Sequence, residues 1–108
     1  RNGGRVAIAN GWIEPHFSPF PPGRRSDLDI VVVSAMTREP AQAQVSVTYE
    51  MLDMAHGALA QHALPGMSAG HHMAKLDLSM RGIWQFRVKV SLEGTTSMTV
   101  LVLTESEP

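Results

Sequence analysis

Methionine and histidine are concentrated between Met51 and Met73. This stretch of 23 residues holds four of the seven methionines and four of the five histidines in the chain. The members are Met51, Met54, His56, His62, Met67, His71, His72 and Met73. Thioether sulfur favours Cu(I) and imidazole binds Cu(I) or Cu(II), whereas Mg²⁺ and Ca²⁺ prefer oxygen ligands. Because no cysteine accompanies the cluster to suggest zinc or an iron–sulfur centre, its donor atoms point to copper.

The spacing of these residues suggests which of them bind the metal. A chain that leaves a strand at Met51 can curl Met54 and His56 around one ion, and His72 can approach it from a second strand. The preferred ligands are therefore Met51, Met54, His56 and His72, with Met67 and His71 as further candidates. Cu(I) is the favoured ion and Cu(II) is accepted, while zinc or nickel bound through the histidines remains open.

The remaining histidines and methionines have ordinary explanations. His16 and His62 are expected to be exposed or hydrogen-bonded. Met36, Met80 and Met98 fall in strand patterns, where a flexible thioether fills gaps in a core.

Length and charge limit the classes of function. A chain of 108 residues forms one domain with one core, so residues 1–108 are treated as a single unit. The net charge of −1 gives no electrostatic reason to expect nucleic acid as a partner. No apolar run approaches the roughly 18 residues that span a bilayer. The chain begins at Arg1, which indicates a processed or truncated piece whose leader or membrane tether lies outside it.

The elements that position the cluster are predicted to be β-strands. Alternation of apolar and polar residues is clearest from Val45 to Met51 and from Trp84 to Val90. Strand segments are predicted at residues 4–9, 27–35, 43–51, 72–80, 83–90 and 97–103. Strands at spacings of about ten residues, without an amphipathic helix, predict an all-β antiparallel sandwich of about six to seven strands.

Two segments lie between these predicted strands. Residues 11–23 contain four prolines, which favours an extended connector outside the sheets. Residues 52–71 form the Met/His-rich loop. Loops of this length without secondary structure of their own are usually functional. If the strands ending at Met51 and beginning at His72 are antiparallel, both residues lie at the same end of the sandwich.

The motifs of the common enzyme classes are absent from the sequence. It has no glycine-rich phosphate loop, no G-x-S-x-G elbow and no H-E-x-x-H helix. Ser68 lies near His71, but no residue is positioned to orient the imidazole or to form an oxyanion hole. A role in binding rather than catalysis is predicted.

A family resemblance accompanies these motifs. Residues 49–57 (YEMLDMAHG) resemble the Met-x-x-Met-x-His-Gly stretch of the YtkA-like domains, which are similar to FixH-type proteins. Residues 80–84 (MRGIW) resemble their Met-x-Gly-x-Trp strand, and the likeness extends over residues 20–103. The resemblance implies an immunoglobulin-like sandwich outside the cytoplasm, often membrane-tethered, with Met51, Met54 and His56 as matching motif residues. Where these domains often have Gly-x-Tyr, this chain has Gly70-His71-His72, which adds imidazoles.

The expected function is therefore extracytoplasmic, or periplasmic, copper binding in delivery or tolerance. Its expected partner is a protein that accepts or donates copper, such as a respiratory oxidase or an efflux system. The alternative is a metal-free immunoglobulin-like interaction module, in which the methionines of residues 51–73 serve as adaptable contacts with another protein.

Overall fold

Alternating side chains place this chain in two antiparallel sheets that face each other. The computed structural model describes residues 4–18, 23, 25–52, 59–61, 66–68, 70–78 and 82–103, with backbone alone at 59–61 and 66–68. The strands are β1 (Val6–Ile8), β2 (Gly11–Ser18), β3 (Ser26–Ser34), β4 (Gln44–Met51), β5 (Leu59–Gln61), β6 (Gly66–Ser68), β7 (His71–Leu76), β8 (Trp84–Leu92) and β9 (Thr95–Leu103). None of the described residues forms a helix long and apolar enough to cross a membrane.

The order of the strands confirms the predicted fold class. Sheet A has the order β1-β2-β3-β7-β6, and sheet B has the order β5-β4-β8-β9. All the pairings between these strands are antiparallel. Apart from β1, the two sheets follow the A-B-E-D and C′-C-F-G orders of immunoglobulin-like sandwiches. The nine strands of the described residues exceed the six to seven expected, because β2, β5 and β6 come from segments predicted to lie outside the sheets.

The core lies between the inward faces of the two sheets. The faces predicted to point inward are buried in β4 and β8, where alternate residues from Val45 to Met51 and from Trp84 to Val90 are inaccessible. Phe86 packs with its ring centroid 5.3 Å from that of Phe17 and 5.5 Å from that of Tyr49. Each such side chain stabilises the fold by about 1.5–3 kcal/mol when it is fully buried.

The prediction of a proline-rich connector at residues 11–23 is wrong for residues 11–18, because Gly11–Ser18 form β2. Ile13, Pro15 and Phe17 face the core in alternation with outward-facing polar residues. Proline is tolerated because β1 pairs only with residues 11–13, so at Pro15 the described β2 is an edge strand. A sheet edge needs no donor from the proline nitrogen.

The Met/His-rich loop expected at residues 52–71 also contains strands. β5 pairs with β4 in sheet B, and β6 pairs with β7 in sheet A. The segment therefore passes from one sheet to the other and adds an outer strand to each of them.

Candidate metal-binding site

Met51 and His72 lie at opposite ends of the sandwich. The His72 ring contacts the carbonyl oxygen of Ala43 just before β4, whereas the Tyr49 hydroxyl near the end of β4 contacts the backbone of Asp77 just after β7. β4 and β7 thus run in the same direction in their separate sheets. Met51 follows Ala43 by eight residues, which is roughly 26 Å along a strand. The prediction that the two residues share one end is wrong, because β5 and β6 reverse the chain twice between them.

Met51 occupies a core position. Its side chain is 5% exposed and pairs in register with Trp84 on β8. The residues around it belong to the apolar cluster between the sheets. A thioether in this position fills the core, and it would have to leave the core to bind an ion.

His72 is also buried, and its exposed fraction is 1%. Its Nε2 lies 3.0 Å from the carbonyl oxygen of Ala43, and its Nδ1 lies 3.2 Å from that of Gly70. A neutral imidazole has one N–H, and we assign it to Nε2, because that contact is the shorter of the two and the Gly70 oxygen already accepts a hydrogen bond from the Val32 N–H at 2.8 Å. Neither nitrogen can bind a metal without repacking, so His72 connects β7 to the approach to β4.

The structure describes only some of the other predicted ligands. Met54 and His56 lie outside the described residues, so their role stays a prediction. Met67 belongs to β6, where Gly66 pairs with His72 and Ser68 pairs with His71 across an irregular register. The backbone of Met67 is therefore next to His71 on the neighbouring strand.

Of the six predicted ligands, His71 has the geometry expected of a metal-binding imidazole. Its side chain is 40% exposed, and its Nδ1 lies 3.0 Å from Oδ2 of Asp29. Its Nε2 makes no hydrogen bond to the described residues. Histidines that bind metals commonly donate their second N–H to a carboxylate, which fixes the tautomer and increases ligand basicity.

The outer face of sheet A brings further donors beside His71. Asp29 on β3 pairs in register with Met73 on β7 and with His16 on β2. His71 and Met73 are two residues apart on one strand, so they share this face. Sequence reasoning predicted that His16 is exposed or hydrogen-bonded, because residues 11–18 were not recognised as a strand beside β3, and it assigned no role to Asp29. The signal that could have found Asp29 is its alternation with Leu28 and Ile30 inside a β-branched run.

Two ion pairs also lie on this face. Arg5 Nε lies 3.5 Å from Oε2 of Glu14, and Lys75 Nζ lies 3.9 Å from Oδ1 of Asp27. In the part of the chain that the structure describes, no three histidine, aspartate or glutamate side chains are grouped closely enough to hold a metal ion. Methionine or donors beyond the described ranges would have to complete a site around His71.

Comparison with known proteins supports the fold. The chain is similar to the crystal structure of a DUF4426 family protein from Pseudomonas aeruginosa, with a TM-score of 0.65 and 14% sequence identity. The alignment covers 96% of this chain and 99% of that protein. At this identity the likeness establishes the β-sandwich architecture alone. No family model matches the chain, and no curated protein matches it.

Proposed function

We propose that this domain binds Cu(I) through the Met/His-rich segment and that His71 is the imidazole ligand held in place by the fold. The supporting observation is the contact between His71 Nδ1 and Asp29 Oδ2, at 3.0 Å. It orients the ring and leaves Nε2 as an unused donor atom on a half-exposed side chain. His71 is the last residue of the Met/His-rich segment, residues 52–71, which also contains Met54, His56 and Met67.

Methionine residues occur near this imidazole, on its own strand β7 and on the neighbouring strand β6. Met73 lies on the same face of β7, and β6 brings the backbone of Met67 beside β7. Thioethers bind Cu(I) in preference to harder ions. Met54 and His56 match the motif of the YtkA-like domains, and that resemblance is consistent with a site formed partly by the segment before β5. Met51 and His72 are omitted from the proposed ligand set because both are core residues.

The proposal is tested by competition between the protein and a coloured cuprous chelator under reducing conditions. His71→Ala should weaken Cu(I) binding by at least about tenfold, comparable to the loss caused by removing an outer-shell partner. Met67→Ala and the double variant Met54→Ala/His56→Ala should weaken it as well. Met98→Ala is the matched control, because Met98 is an exposed methionine on β9 in the other sheet.

Thermal unfolding gives an independent readout. A ligand that binds the native state alone raises stability by about 2.7 kcal/mol when its free concentration is a hundred times Kd. Cu(I) buffered at that free concentration should therefore raise Tm in the wild type and have less effect in His71→Ala. Cuprous affinity that is the same in His71→Ala, Met67→Ala and the wild type would contradict the proposal.

The biological role proposed with this site is copper delivery or tolerance outside the cytoplasm. Thioether ligands exchange readily, so an acceptor protein can replace them one at a time and remove the ion. Cu(I) transfer to a chelating acceptor should then be faster when the acceptor concentration is raised. Absence of cuprous binding would instead favour the metal-free interaction module.

A further inference from the structure

Asp29 has a carboxylate oxygen that the described structure leaves unsatisfied. Its Oδ2 lies 3.0 Å from His71 Nδ1, whereas its Oδ1 is buried and has no hydrogen-bond partner. A buried acceptor without a donor is uncommon in folded proteins and often marks the place of an ion or an ordered water molecule. The Asp29 side chain as a whole is 28% exposed, so a small rotation of the carboxylate would bring the buried Oδ1 to the solvent.

The ion pairs on this face also distinguish Asp29 from the neighbouring carboxylates. Glu14 has Arg5 as its cation, and Asp27 has Lys75. Asp29 has only the imidazole of His71 among the described residues. A carboxylate that faces neither a lysine nor an arginine is the member of this group best suited to attract a metal cation.

Two more donors flank Asp29 in a straight row across three strands. His16 is its partner on β2, and Met73 is its partner on β7. Adjacent strands are about 4.8 Å apart, and directly opposed side chains have Cβ atoms roughly 5 Å apart. Imidazole nitrogen, carboxylate oxygen and thioether sulfur are thus available side by side. His16 is exposed, so its ring can turn toward Asp29 without disturbing the core.

We propose that this row, His16–Asp29–Met73, is a second metal site that binds Cu(II). The ligands are an imidazole nitrogen of His16, Oδ1 of Asp29 and, as the weaker ligand, the sulfur of Met73. Among divalent first-row ions Cu(II) binds a given nitrogen and oxygen site most tightly, so its affinity for this row should exceed that of zinc or nickel. The site extends beyond the cuprous proposal, because it uses neither Nε2 of His71 nor any donor from residues 52–70.

The experiment adds cupric ion to the full chain and measures affinity by isothermal titration and nitrogen coupling by electron paramagnetic resonance. His16→Ala should lower Cu(II) affinity by at least about tenfold, at the lower end of the loss caused by removing an outer-shell partner. It should also remove the coupling of one nitrogen and leave Cu(I) affinity unchanged. Asp29→Asn should lower Cu(II) affinity too. Ser18→Ala, at the next outward position of β2, and Glu50→Gln, on sheet B, are matched controls without effect.

Outcomes for the two sites can be told apart. Cupric affinity and nitrogen coupling that are the same in His16→Ala and in the wild type would overturn this inference, whatever the cuprous titration gives. Cupric binding that is lost in His71→Ala but kept in His16→Ala would also overturn it, since the ion would then be using the His71 ring. Loss in His16→Ala supports it even if no cuprous site exists.

Discussion

Replacement of His72 by alanine should cost much stability and leave copper affinity unchanged. The substitution removes the Nε2 contact with the Ala43 carbonyl oxygen, at 3.0 Å. The half-buried Ala43 carbonyl then loses its donor, and the cost is toward the lower end of the 1–3 kcal/mol that a buried unsatisfied group costs, about 1 kcal/mol. Truncation of a buried side chain of this size to alanine costs about 2–5 kcal/mol. These terms overlap, so a total near 3–5 kcal/mol is expected, against a typical domain stability of about 5–15 kcal/mol.

The assay combines thermal unfolding with the cuprous competition titration. For a domain of this size, 3 kcal/mol corresponds to a fall in Tm of roughly 12–24 °C. His72→Gln keeps a donor and should lose less. His71→Ala is the comparison, because its half-exposed contact with Asp29 contributes only about 0–1 kcal/mol. The reasoning is refuted if His72→Ala weakens Cu(I) binding as much as His71→Ala does and lowers Tm by only a few degrees.

Three further predictions follow from other positions. Burial raises the pKa of Tyr49 above 10.0, so the stabilisation from its neutral phenol is complete below pH 10 and is lost as pH rises through the folded-state pKa. The absorbance of this single tyrosine should titrate at higher pH in the folded than in the urea-unfolded chain, and equal midpoints would contradict the effect. Gly70→Ala should lower the free energy of unfolding in urea more than Gly94→Ala does. Both glycines have positive φ, but of the two only Gly70 has neighbours that a new Cβ would meet, the nearest being Pro40 Cβ at 2.5 Å. Equal losses in the two variants would exclude this clash. Val100 lies on the exposed apolar face of edge strand β9. Val100→Lys should reduce light scattering on heating and change the free energy of unfolding by no more than about 0.5 kcal/mol. Unchanged scattering would show that this edge does not aggregate.

Most of the fold was predictable because buried faces impose a period of two on the sequence. The burial of alternate residues in β4 and β8, from Val45 and from Trp84, confirms that prediction. β2 was missed because Pro15 is excluded from strand interiors but is tolerated at a sheet edge. That exception depends on the length of β1, which local sequence does not reveal.

The site was less predictable because it depends on which strands are neighbours. Clustering in sequence selected Met51 and His72, which the topology separates and buries. Met36 and Met98 were expected in the core, but they are 84% and 58% exposed. Conversely, His16 and Asp29 come from distant parts of the chain, and only the pairing of β2 with β3 makes them neighbours.

The double strand addition made by residues 59–68 has a consequence for engineering this protein. β5 lies at one edge of sheet B and β6 at one edge of sheet A, where they pair with residues 47–49 of β4 and with His71 and His72 of β7. Excision of the segment as a test of copper binding would leave these backbone groups unpaired and lengthen the open edges of both sheets, which can then pair with other molecules. Such a deletion would precipitate whether or not metal is present, so the donor side chains can be exchanged singly but the strands beneath them must stay.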